Sequence, residues 1–388
     1  MDNECELCRR ETLAPIYETE HSPRGLKIYL CNHCGLVQSL PRIDHAPRKS
    51  AAVSGGADWG NVRYGKAFRT VAATDALRRH ADLNSEIALL DVGSNRGSFV
   101  KTFLDLAPNA DVLALEPDER VAYACAGLDR TELLVSRIED AALEAERFDI
   151  VHSCHTIEHL AHPQATLADH WRVLKPGGLL IIDAPNIAHL DEDDIIEEWF
   201  IDKHLYHFSA RTLIRMIRAA GFDIVEAPDP KDRANLLIVA AKADRAVRAC
   251  DDDPREVAEA ERLLAAYGTT RARNLSALTA LATNIAQMAP RKVAMWGAGR
   301  LFDTLVTHGG FQPAMLSSLI DKHLKQHVGI RHGRALEEPE TLAQTEPGVV
   351  IVMSRGFAKE IADEAKSLAP QAEIIFYSDL LARAKEAA

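Results

Sequence analysis

Ile87-Ala-Leu-Leu-Asp-Val-Gly-Ser-Asn-Arg-Gly-Ser-Phe99 is the stretch whose reading decides the fold. Its apolar opening, ending at Asp91, suits a strand buried on both faces of a parallel sheet. From Ser98 to Leu106 the apolar spacing turns helical. Gly93 and Gly97 let the backbone approach a ligand closely, and the start of the following helix leaves N–H groups unpaired. A strand, a bare turn and a helix together predict a seat for a polar small molecule.

The turn reads Asp-x-Gly-x-x-x-Gly, not the Gly-x-Gly-x-x-Gly of dinucleotide binders. A second apolar run, Val112-Leu-Ala-Leu-Glu116-Pro117, ends in a carboxylate that can accept both hydroxyls of a ribose. With these residues in place, the sequence resembles the class I S-adenosylmethionine-dependent methyltransferases. Phe148-Asp-Ile-Val-His-Ser-Cys-His155 is similar to their fourth strand, Glu158-His159-Leu160 to the segment after it, and Leu174-Lys-Pro-Gly-Gly-Leu179 to the turn before the fifth. The resemblance covers roughly residues 85–240. The rival reading is a Rossmann-like domain that binds NAD or another nucleotide.

Strands expected at 87–92, 111–116, 131–135, 148–154 and 178–184 alternate with helical segments, which predicts an α/β, doubly wound sheet with its ligand at the carboxyl ends of the strands. Asp91, Glu116, Ile138, Glu139 and His155 all fall at such ends. The resemblance implies that residues 93–97 face the methionine part of S-adenosyl-L-methionine, Glu116 with Pro117 the ribose, and Ile138 with Glu139 the adenine. Glu139 also reads simply as a solvated turn carboxylate.

At 388 residues the chain is long enough for two or three domains, and 47% hydrophobic with 26% charged content is that of an ordinary globular protein. The net charge of −12 argues against general affinity for nucleic acid, which needs Lys and Arg to displace counterions. No run of about 18 apolar residues suggests a membrane span, and no leader is legible, so a cytoplasmic location is expected.

Toward the N-terminus, Cys5-Glu-Leu-Cys8 and Cys31-Asn-His-Cys34 are two CxxC knuckles at a spacing that closes a tetrahedral zinc site. Four thiolates fill the coordination shell, so the zinc is expected to be structural and to staple a module too small to fold on its own core. His33 is a candidate substitute ligand, and Cys125, Cys154 and Cys250 read as buried thiols. Tyr64 and Phe68, four apart, either mark the core face of a helix or place Tyr64 as a cap over the pocket.

Methyl transfer from a sulfonium expels a neutral leaving group, so its demands are an aligned nucleophile and usually a base. The imidazole-rich run Asp202-Lys-His204-Leu-Tyr206-His207-Phe-Ser209 supplies candidates, histidine having a pKa near neutrality. The rival reading is a loop whose histidines pair with carboxylates such as Asp193 and Asp194.

Over nearly the whole chain, the order of zinc knuckles, methyltransferase domain, His-rich insertion and second Rossmann-like domain resembles the three-domain sugar C-methyltransferases that act on nucleotide-linked 4-keto-deoxysugars. That resemblance implies His204 as base, His159 as a second active-site histidine and Tyr206 as a partner of substrate oxygens, with a nucleotide-linked sugar as the substrate. The chain departs from the family pattern at Ile201 and Lys203, which stand where the family carries Tyr and Glu. A lysine beside the base lowers its pKa, so a hydroxyl, an amine or another activated carbon stays open as the methylated atom.

Beyond residue 240, Leu275, Leu278, Leu281, Ile285 and Met288 recur at helical steps. Lys292-Val-Ala-Met-Trp-Gly297-Ala-Gly299-Arg300, Leu319-Ile-Asp321-Lys322 and Val349-Val-Ile-Val-Met353 read as strands of a second parallel sheet. Arg300 and Lys325 are candidate phosphate partners there, or the domain is a packing partner only. The expected division is a zinc-binding module at 1–45, a methyltransferase domain at 46–245, and a linker helix with the C-terminal Rossmann-like domain at 246–388.

Overall fold

The computed structural model describes residues 4–20, 22, 24–42, 67–201, 203–243 and 250–387. Tyr64 lies outside them, so its role as a cap stays an expectation. Among the described residues two compact units emerge: those up to 42, 67–191 and 200–265 in the first, and 192–199 and 266–387 in the second.

The first unit is built on a sheet of seven strands. Its strands are β4 (Ile87–Val92), β5 (Ala110–Leu115), β6 (Thr131–Leu134), β7 (Phe148–Cys154), β8 (Leu174–Pro185), β10 (Phe222–Glu226) and β11 (Asn235–Lys242). They lie in the order β10-β11-β8-β7-β4-β5-β6. β4, β5, β6, β7 and β8 run parallel, while β11 is antiparallel to both neighbours. The expected central strands are present, and β10 and β11 extend the sheet. Lys175 to Gly178, expected as a turn, lies inside β8 as an irregularity: Phe148 faces Leu174 while Ile150 already faces Leu179, and Gly177 takes a φ of 73°.

The parallel strands are apolar on both sides because each face has its own core. One holds Leu89, Val112, Ile150, Ile181, Phe99 and Phe103, and the other Leu90, Leu113, Val151, Leu180, Met216 and Phe222. The second core also takes in Cys5, Leu7, Leu26, Cys31, Cys34 and Leu36. The cysteine-bearing segment therefore shares a core with the seven-stranded sheet instead of depending on a small one of its own.

That segment forms β1 (Leu13–Glu18), β2 (Lys27–Cys31) and β3 (Val37–Leu40), an antiparallel sheet completed by β9 (Tyr206–His207) from the imidazole-rich run. Val37 pairs with His207 and Gln38 with Tyr206.

The second unit has a four-stranded parallel sheet, β12 (Val293–Trp296), β13 (Ser318–Ile320), β16 (Val349–Val352) and β17 (Glu373–Phe376), in the order β13-β12-β16-β17. A small hairpin, β14 (Ile330–Arg331) and β15 (Arg334–Ala335), stands apart from it. The helix Pro254–Ala286 places Leu278, Leu281 and Ile285 in this unit's core, on the face that their spacing predicts. Arg300 pairs with Glu197 at 3.2 Å and Lys325 with Glu338 at 3.0 Å, so both cations already face carboxylates. Asp321 holds the glycine turn, accepting from the Ala298 N–H at 3.1 Å. No helix among the described residues is long and apolar enough to cross a membrane.

Candidate functional site

At the end of β4 the chain turns through Gly93 and Gly97, with φ of 74° and 70°. Gly97 is required twice over: its backbone is left-handed, and a Cβ there would meet the Cys125 sulfur at 2.8 Å. The turn is tied to β5 by hydrogen bonds from Gly93 N and Ser94 N to the Leu115 carbonyl, at 2.7 and 3.0 Å.

Glu116 fixes the turn from the next strand tip. One carboxylate oxygen accepts from Asn95 N–H at 2.8 Å and the other from Asp118 N–H at 2.9 Å. Each oxygen has a second lone pair, so the carboxylate can hold the loop and accept further donors. Pro117 lies half-buried beside it. Ile138 is buried in the core, whereas Glu139 is exposed and accepts from the Thr166 hydroxyl at 3.0 Å.

Asp91 does not project alone. Its Oδ1 lies 2.6 Å from Nδ1 of His152, the residue opposite it on the neighbouring parallel strand. His152 stacks on Phe99 with ring centroids 3.6 Å apart. Arg69, Thr70, Asp91, Gly93, Ser98 and His152 are among the residues that line one cleft. Arg69 pairs with buried Asp183 and, at 2.8 Å, with Asp232. Burial pushes the Asp183 carboxyl above its usual range, against the lowering effect of Arg69. Asp91 Oδ2 and His152 Nε2 are buried without a hydrogen-bond partner among the described residues. A ligand that brings both a cation and an anion, as an amino-acid group does, fits a cleft with those unmatched atoms and Arg69 on its wall. Arg69, His152 and Asp183 are not singled out by any motif. The signal for His152 is a histidine within an apolar strand, in register with Asp91.

The imidazoles gather beyond β7. His155 has a φ of 45°, its N–H donates to the Asp183 carbonyl at 2.7 Å, and its Nε2 lies 3.1 Å from Asn235 Oδ1. His159 sits on a short 3-10 turn with its Nδ1 2.8 Å from the Lys203 carbonyl. His159 and His204 approach to 4.8 Å between ring centroids. The Leu205 N–H donates to the Glu158 carbonyl at 2.7 Å, which ties the two segments together.

The other members of the imidazole-rich run are scaffold. His207 is buried, and desolvation pushes its pKa down to about 3, so it is neutral at physiological pH. Tyr206 is buried and its hydroxyl donates to the Ala161 carbonyl at 2.9 Å, which leaves it holding the backbone instead of presenting itself to a substrate.

Cys5, Cys8, Cys31 and Cys34 gather with their sulfurs within 4.8 Å of one another, and none is disulfide-bonded. The Cys5–Cys34 and Cys8–Cys31 sulfurs are 3.5 and 3.6 Å apart. Zinc–sulfur bonds of about 2.3 Å at tetrahedral angles put sulfurs roughly 3.8 Å apart, so the four fit a zinc ion. His33 is not among them: its Nε2 lies 3.3 Å from the Cys250 carbonyl. Cys125 and Cys154 are buried as expected, but Cys250 is half-buried, with its thiol donating to the Asp251 carbonyl at 3.7 Å.

Comparison with known proteins agrees with this geometry. Residues 65–227 match a family model described as a methyltransferase domain. A relative from Mycolicibacterium smegmatis, described as a probable S-adenosylmethionine-dependent methyltransferase, is 26% identical over 38% of this chain and 59% of its own length. A ubiquinone biosynthesis O-methyltransferase of Cereibacter sphaeroides is 31% identical over 26% of this chain and 42% of its own length. The chain thus spans less than two thirds of either curated relative. A solved S-adenosylmethionine-dependent methyltransferase of Aquifex aeolicus aligns at 16% identity and a TM-score of 0.39, covering 47% of this chain and 96% of its own. Over residues 65–227, the span that holds the glycine turn and the five parallel strands, the chain is thus similar to methyltransferase domains.

Proposed function

We propose that the protein methylates a carbon next to a keto group of a nucleotide-linked sugar, drawing the methyl group from S-adenosyl-L-methionine. The observation that carries the reading is the pairing of His159 with His204, ring centroids 4.8 Å apart, with His159 on the segment that leaves β7 beside the strand bearing the glycine turn. Bound S-adenosylmethionine supplies an electrophilic methyl on a sulfonium. His204 removes the proton beside the keto group, and the electron pair of that C–H bond becomes an enolate. The enolate carbon then forms a C–C bond to the methyl in line as the S–C bond breaks, leaving a neutral thioether. His159, oriented through Nδ1 by the Lys203 carbonyl, positions the substrate oxygen.

In the same reading Asp91, Gly93 and Gly97 surround the methionine part of the cofactor, with Arg69 for its carboxylate. Glu116 and Pro117 take the ribose, Ile138 and Glu139 the adenine, and His155 closes the floor. The four knuckle cysteines hold a structural zinc, and the partners are small molecules, with neither nucleic acid nor membrane among them.

Lys203 favours a second reading. It stands where the sugar enzymes carry Glu and can hold an anionic or carbonyl oxygen, and the Cereibacter relative is named as an O-methyltransferase. An O- or N-methyltransferase of another biosynthetic intermediate would then be the activity. Calorimetric titration with S-adenosylhomocysteine and a panel of nucleotide-linked keto sugars separates the two. Binding of both, with deuterium wash-in from solvent at the substrate carbon in the absence of cofactor, is expected for carbon chemistry. Binding of the first without any of the second removes the sugar assignment.

A further inference from the structure

Glu158 is buried to 1% exposure, and two imidazole nitrogens face its carboxylate: Nδ1 of His155 lies 3.6 Å from Oε1 and Nε2 of His159 lies 3.7 Å from the same atom. The hydrogen bonds on the far side of each ring decide what those nitrogens are. His159 Nδ1 is 2.8 Å from the Lys203 carbonyl, which only accepts, so Nδ1 carries a proton and Nε2 is the nitrogen turned to Glu158. The Asn235 amide donates through Nδ2 to Asp232 and turns its oxygen to His155 Nε2, which therefore carries a proton and leaves Nδ1 as the nitrogen turned to Glu158. Two ring nitrogens, each with its partner nitrogen anchored on the far side, thus face one buried carboxylate. An imidazole that donates its outer N–H to a carbonyl or amide oxygen and turns its other nitrogen to a carboxylate is the usual arrangement around a metal ion.

The ligand atoms of Glu158, His159 and His204 all lie within 4.8 Å of one another. Metal bonds of about 2.0–2.2 Å to nitrogen and oxygen place neighbouring ligands roughly 3.3 Å apart in a tetrahedron, a contraction that small side-chain rotations supply. Two imidazoles and one carboxylate suit a first-row divalent ion such as zinc or cobalt, with the remaining positions left for water.

We propose that Glu158, His159 and His204 form a divalent-metal site, separate from the cysteine cluster, whose occupancy takes up the His204 lone pair. Metal binding itself does not depend on the reading under Proposed function; its consequence, inhibition of turnover, rests on the base role given to His204 there. Nothing needs oxidising or reducing: the metal displaces protons and water only.

The test is a cobalt(II) titration of the metal-stripped full chain, with stoichiometry measured by elemental analysis. Two equivalents are expected per chain. One brings the intense near-ultraviolet absorption of cobalt–thiolate bonds, and the other only weak visible bands. Glu158→Gln and His204→Gln, each checked for native circular dichroism, should lose the weak-band equivalent and keep the thiolate one. A single equivalent in the unmodified chain, or a second that survives in His204→Gln, overturns the site. If the second equivalent binds as expected but leaves turnover unchanged, the site stands and the base role of His204 falls.

Discussion

Ser39 donates its hydroxyl proton to the carbonyl oxygen of His204 at 3.0 Å, and its own Oγ lies 3.1 Å from Nε2 of His207. Ser39 belongs to β3 of the cysteine-bearing sheet, and its N–H also donates to the Leu205 carbonyl at 2.8 Å. The knuckle region therefore holds the backbone on which His204 stands. Ser39→Ala removes one hydrogen bond worth about 1 kcal/mol, so kcat should fall by roughly three- to tenfold with S-adenosylhomocysteine affinity unchanged. Steady-state kinetics beside calorimetry measures the split; an equal loss in both would place the effect on the fold at large.

Disrupting the four-cysteine cluster should reach the seven-stranded sheet, because Cys5, Cys31 and Cys34 lie in the same core as Val151 and Leu180. Cys34→Ser is expected to lower the thermal midpoint of the whole first unit by more than about 5 °C. Differential scanning calorimetry would show it. A variant with an unchanged midpoint would mean that the cluster is peripheral to stability.

His204→Ala should abolish turnover while leaving cofactor affinity nearly intact, since the ring lies beyond the glycine turn and not within the cleft lined by Asp91 and His152. Activity that persists in this variant rejects the base.

Glu116 holds the glycine turn with both oxygens, and Gln offers only one acceptor oxygen. Glu116→Gln leaves one backbone N–H opposite an amide donor, at a cost of about 1–3 kcal/mol. The dissociation constant for S-adenosylhomocysteine should rise roughly tenfold or more. Gly97→Ala is expected to be worse, because a left-handed backbone costs a non-glycine residue about 1–3 kcal/mol and the new Cβ would also displace Cys125.

Two buried histidines make the first unit sensitive to acid. Desolvation pushes His170 and His207 down to about 3 from an ordinary value of 6.5. Between those values the unfolded chain binds protons that the folded one refuses. The stability from each ring is therefore fully present above about pH 6.5 and is lost, at up to about 1.4 kcal/mol per pH unit, as pH falls toward 3. Both ring nitrogens of His170 lack a hydrogen-bond partner among the described residues. His170→Leu should therefore flatten the fall of the urea midpoint between pH 7 and 4.5 without loss of stability at neutral pH. A variant whose midpoint follows the same slope as the parent would remove His170 as a cause.

The sequence by itself determined the parallel strands, the turn at Gly93 and Gly97, the carboxylate at the second strand tip and the two cysteine knuckles. Each is a local matter: apolar runs, positive φ and ligand spacing are fixed by neighbours within a few residues. What only the tertiary structure decided is which distant groups meet. His152 comes to Asp91 because parallel strands bring residues 61 apart into register. β9 joins the knuckle sheet because a two-residue strand has no sequence pattern of its own and forms only where an unpaired edge awaits it. Tyr206 and His207 look like chemistry in a list of residues, and burial makes them scaffold. Glu158, His155, His159 and His204 converge for the same reason: backbone hydrogen bonds between separate segments, invisible to periodicity, set where their side chains begin.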